Sequence, residues 1–94
     1  MVKVSLTITR RPFGPRQDFY VIQEEILTFP DLQTAKDDLK KRYVGHKRSK
    51  CYIDLPDGNY MQCGYIYHMK NPDGYEQHWT HFKEERTIDM EKEA

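Results

Sequence analysis

At 94 residues the chain has room for one modest hydrophobic core, which excludes a second domain. Seven Tyr, four Phe and one Trp exclude a wholly disordered chain, and the lack of any apolar run of about 18 residues excludes a hydrophobic spanning helix. Residues 1–50 hold eleven basic against six acidic side chains and residues 51–94 hold four against nine, yet net charge is zero, which argues against a protein that coats nucleic acid indiscriminately.

Val2, Val4, Leu6 and Ile8 alternate with Lys3, Ser5, Thr7 and Thr9, a period of two that predicts a first strand with one dry and one wet face. Two prolines and a glycine between Arg10 and Arg16 then predict a loop, because proline cannot donate to a ladder. Extended structure resumes at Asp18 to Gln23 and again at Ile26 to Phe29. Glu24-Glu25 breaks the alternation between them, so a bulge or bend is expected near Glu24.

The one helix is expected to open at Pro30-Asp31, where proline needs no amide partner and aspartate answers the helix dipole; Thr28 with Asp31 loosely resembles a capping box. Leu32, Ala35, Leu39 and Tyr43 follow at spacings of three and four and form one apolar stripe. Gly45 supplies a left-handed residue to end the helix.

From Ser49 onward the chain reads as three strands joined by two Pro-Asp-Gly corners, at Pro56 to Gly58 and Pro72 to Gly74. A three-residue hairpin loop with glycine in the left-handed position pairs Leu55 with Asn59 and Asn71 with Tyr75. Counting outward, Cys51 faces Cys63, Ile53 faces Met61, Tyr67 faces Trp79, Tyr65 faces His81 and His68 faces His78. Alternation then sets Cys51, Ile53, Leu55, Met61, Cys63, Tyr65, Tyr67, Met69 and Trp79 against the helix. The opposite face, with Tyr52, Tyr60, His68, His78 and Phe82, becomes a surface for protein contacts. The expected architecture is α+β, an antiparallel sheet in the order ββαβββ with one helix packed on one face, over residues 1–88, followed by a frayed or disordered acidic tail at 89–94.

Function is less legible than architecture. The run from Lys40 to Lys50 holds Lys40, Lys41, Arg42, Lys47, Arg48 and Lys50 and no acid, which suits a phosphate backbone; Arg10 and Arg11 extend the field if the first loop lies on the same side. The leading expectation is therefore a small non-enzymatic module that binds nucleic acid or a nucleoprotein. The alternative is a protein-binding module or inhibitor using the aromatic sheet face and the acidic C-terminal half, by analogy of size with phage or mobile-element accessory proteins that act on a host nuclease complex. No metal or cofactor is expected: His78 and His81, three apart on a strand, point to opposite faces, and neither Cys-x-x-Cys nor His-Glu-x-x-His occurs. Two cysteines without a secretory signal point to free thiols in the cytoplasm, and exposed strand edges allow a monomer or a homodimer, with no membrane association.

Overall fold

The computed structural model describes residues 1–83; the expected tail at 89–94 and the last residues of the expected domain lie outside the described residues. In chain order the elements are β1 (Val2–Pro12), β2 (Tyr20–Phe29), α1 (Leu32–Arg42), β3 (Lys47–Asp54), β4 (Tyr60–Asn71) and β5 (Gly74–Phe82), the ββαβββ order that the sequence predicts. The strands form one sheet in the order β2-β1-β5-β4-β3, antiparallel at every junction. β5 is thus the central strand, and β2 and β3 are the edges.

The alternation of β1 buries Val2 and Val4 against Ala35, Leu39 and Tyr43 of the helical stripe, with Tyr67 of β4 and Phe82 of β5 completing the core. Asp31 is the N-cap: its Oδ1 accepts a hydrogen bond from the Thr34 amide at 2.7 Å, so Pro30 precedes the cap and does not occupy the first turn. At the other end, Lys40, Lys41 and Arg42 fill the last turn, and Gly45 takes φ +82° just beyond it.

β1 runs further than its proline allows by propensity alone. Arg10, Arg11 and Pro12 partner Glu76, Tyr75 and Gly74 of β5, and proline is tolerated because it is the last residue of the strand. The irregularity in β2 falls at Ile22 instead of Glu24: Ile8 faces Gln23 while Thr9 faces Val21. Glu24 and Glu25 stay in the regular ladder because both side chains are exposed on an edge strand and can remain hydrated.

The two Pro-Asp-Gly corners fold differently. At the first, the Leu55 amide donates to the Asn59 carbonyl at 2.7 Å and Gly58 has φ +87°, the expected geometry. At the second, Pro72-Asp73 forms a two-residue turn and Asn71 faces Gly74, not Tyr75. Gly74 is a strand residue whose Cβ, if present, would lie 2.3 Å from the Arg11 carbonyl oxygen. It is needed for the close approach of β1, not for a left-handed turn.

This one-residue shift turns β5 over. Tyr67 faces His78, His68 faces Gln77 and Ile66 faces Trp79, so His78, Thr80 and Phe82 share the helix side while Trp79 and His81 look away from it. A second departure lies in β4. Ile53 faces Met61 as expected, but Cys51 faces Gly64 and Cys63 is the bulged residue. A Cβ on Gly64 would lie 1.8 Å from the Thr80 carbonyl oxygen, so β4 is pressed onto β5 at this point. There Thr80 Oγ1 takes the place of a ladder group, accepting from the Tyr65 amide at 3.0 Å and donating to the Tyr65 carbonyl at 2.9 Å.

Candidate nucleic-acid interface

Crossing from β2 to β3, the helix carries the chain from one edge of the sheet to the other, and so leaves a cleft of about 340 Å³ between α1 and the β3–β4 side. Lys36 and Lys40 enter it from the helix and Arg48 from β3, while Tyr65 and Tyr67 contribute rings; Asp37 is the one acid among the described residues that line it. Lys36 and Lys40 are four apart and hence neighbours on one helical face. The Arg48 guanidinium carbon sits 4.5 Å from the Tyr65 ring centroid, which holds the planar cation over the aromatic face. Lys50, paired with Tyr65 and two residues from Arg48, is exposed on the same side of the strand.

The other basic residues do not converge here. Lys47 alternates to the opposite side of β3 and faces His68. Arg42 meets Asp38 at 3.6 Å, and Lys41 lies outside the cleft, lining with Val44 a neighbouring depression that shares Asp37 and Lys40 with it. Arg10 is engaged by Glu76 at 2.8 Å, and Arg11 lies between the rings of Phe19 and Tyr75, at 5.2 and 4.9 Å from their centroids.

The surface expected for protein contacts is divided by the register shift. Phe82 is 1% exposed and belongs to the core, where the turned β5 carries it under the helix. His78 is on that side too: Tyr43 Oη lies 2.6 Å from its Nδ1, and Glu76 Oε2 lies 2.6 Å from its Nε2. Since an ionised carboxylate only accepts, the proton in the short contact to Glu76 lies on His78 Nε2. Burial, chiefly, pushes the Tyr43 hydroxyl up to about 12. Burial alone would raise the Glu76 carboxyl as well, but hydrogen bonds from His78 and Arg10 prevail and hold it below its ordinary value. His68, on the opposite face, has Nε2 2.8 Å from Ser49 Oγ. Tyr52 and Tyr60 are exposed and pack edge to face, with centroids 5.3 Å apart.

The two sulfurs do meet, at 3.4 Å, although the bulge takes Cys63 out of direct pairing; burial and the hydrogen bond to Cys51 push the Cys63 thiol up to about 12. Among the described residues, no group of three His, Cys, Asp or Glu side chains is placed to hold a metal ion, and no helix is long and apolar enough to cross a membrane.

Sequence reasoning missed Lys36 and Tyr65 as members of the cleft. The spacing of four between Lys36 and Lys40 was a usable signal for the first; the second needed the bulge at Cys63, which shifts the register so that Arg48 and Lys50 share the face of Tyr65. Trp79, expected in the core, instead borders a depression of about 390 Å³ on the helix-free face together with Ser5, Thr7, Thr9, His81 and Lys83. Burial and the nearby Lys83 charge hold the His81 imidazole below its ordinary value. Compared with protein-family models, curated proteins and solved structures, the chain matches none.

Proposed function

We propose that this chain is a non-enzymatic binding module whose α1–β3 cleft engages single-stranded nucleic acid, free or within a nucleoprotein. The observation that carries this reading is the convergence of Lys36, Lys40 and Arg48 from two elements onto one concave site with an aromatic wall. Lysines supply point charges for phosphates. An arginine held over a tyrosine ring supplies both a fork of donors and a planar cation on which an unpaired base can stack. A duplex keeps its base faces covered, so the aromatic wall favours single strands.

The test is a fluorescence-anisotropy titration with labelled single- and double-stranded oligonucleotides across a range of salt. Three phosphate contacts give a slope of log affinity against log salt of about −2 for a single strand, and each cation removed by Lys36→Ala, Lys40→Ala or Arg48→Ala makes it shallower by about 0.7. Equal loss from neutralising Lys47 or Lys41, which lie outside the cleft, would contradict the proposal, as would no binding at low salt.

A further inference from the structure

Five of the large apolar residues left exposed fall in one short stretch at the unpaired edge of the sheet: Phe19, Tyr20 (50%), Val21 (54%), Ile22 (41%) and Ile26 (54%). β2 pairs with β1 on one side, and its other side, without a strand partner among the described residues, offers main-chain donors and acceptors to any extended chain that comes alongside. The two edges of the sheet differ. β3 carries Lys47, Arg48 and Lys50, the kind of like charge that discourages strand addition. β2 has neither lysine nor proline; after the irregularity at Ile22, Gln23 to Phe29 form an unbroken ladder with β1.

The charges in the middle of β2 decide which strand fits. Glu24 and Glu25 stand at the midpoint of Tyr20–Phe29, on opposite faces of the sheet, and neither forms an ion pair among the described residues. In a two-fold antiparallel pairing of β2 with a second copy, the full-length register sets Glu24 against Glu25 of the other chain twice, one carboxylate pair on each face of the sheet. Like charges directly opposite destabilise a ladder, and shifting the register to avoid them shortens it. Residues 84–94 of this chain, with five acids against two bases, are a poor electrostatic match for the same edge.

We infer that the β2 edge is a docking site for an extended segment of a partner protein, which adds as a sixth strand and presents adjacent basic residues to Glu24 and Glu25 between β-branched or aromatic neighbours. The main chain supplies affinity and the two carboxylates supply selection, the division of labour usual in strand addition. This site is separate from the α1–β3 cleft and does not rest on the reading given to it.

The test uses the full chain and two fluorescent decapeptides that alternate valine and threonine on either side of a central pair, lysine in one and glutamate in the other. The lysine peptide is expected to bind about tenfold more tightly, from two favourable cross-strand pairs in place of two unfavourable ones. It is also expected to protect amides within residues 23–29 from hydrogen exchange. E24K/E25K, an exposed substitution that leaves the core untouched, reverses the preference, and E24A/E25A self-associates in sedimentation where the parent chain does not. Equal binding of the two peptides, binding of neither, protection confined to other strands, or a parent chain that already dimerises through β2 would each overturn the inference.

Discussion

Gly64 and Thr80 are one structural unit, because the Thr80 carbonyl occupies the space where a side chain at position 64 would begin, 1.8 Å from the ideal Cβ. Gly64→Ala must push β4 off β5 and disturb the hydroxyl that bridges Tyr65, so chemical denaturation is expected to show a loss of about 3 kcal/mol. A loss within experimental error would mean that the strands separate at this point in solution. The titratable groups make a second prediction. Cys63 and Tyr43 both have folded values raised to about 12, from 9.0 and 10.0. The folded state therefore keeps these protons while the unfolded chain releases them, and their contribution to stability is present below pH 9 and lost as pH rises toward 12. At the acid end, Glu76 is depressed, so its contribution is present above its ordinary value of 4.5 and lost as pH falls through the lower folded value. Denaturant midpoints measured against pH should fall at both extremes. Cys63→Ala should flatten the alkaline limb and Glu76→Gln the acid one; limbs unchanged in both variants would contradict the assignments.

At the scale of elements, the same tripeptide meets two fates, and the difference marks how far sequence can be read. The helix was legible because Leu32, Ala35, Leu39 and Tyr43 repeat at a local period, and β1 was legible because Val2, Val4 and Leu6 do the same at a period of two. The first corner was legible because Gly58 serves only its own turn. The second was not: Gly74 answers to β1, which arrives from the other end of the chain and presses the Arg11 carbonyl against it. Nothing near position 74 announces that neighbour. The resulting shift placed Phe82 inside and Trp79 outside, and so divided the surface expected for protein contacts as well as changing the core. Tryptophan fluorescence reads this directly. At 37% exposure, Trp79 is expected to emit toward the red and to be quenched readily by acrylamide. Blue-shifted, shielded emission would instead favour the three-residue loop that pairs Asn71 with Tyr75.

For the molecule as a whole, topology turns a lopsided sequence into a lopsided surface. The basic run of residues 40–50 spans the helix end and an edge strand, and only the crossing of α1 to the far side of the sheet brings Lys40 and Arg48 to one cleft. Charge composition revealed the run; it could not reveal that Arg10 and Arg11 are engaged elsewhere, by Glu76 and by the Phe19 and Tyr75 rings. The two edges then acquire opposite characters, β3 cationic and β2 apolar with a central acidic pair. The most direct test of the central claim is an NMR chemical-shift map of the isotopically labelled chain on addition of a short single-stranded oligonucleotide. The largest changes are expected at Lys36, Lys40, Arg48, Lys50 and the Tyr65 ring, with Trp79 and His81 on the opposite face unmoved; changes centred on Trp79 and His81, or none at low salt, would contradict binding in the cleft.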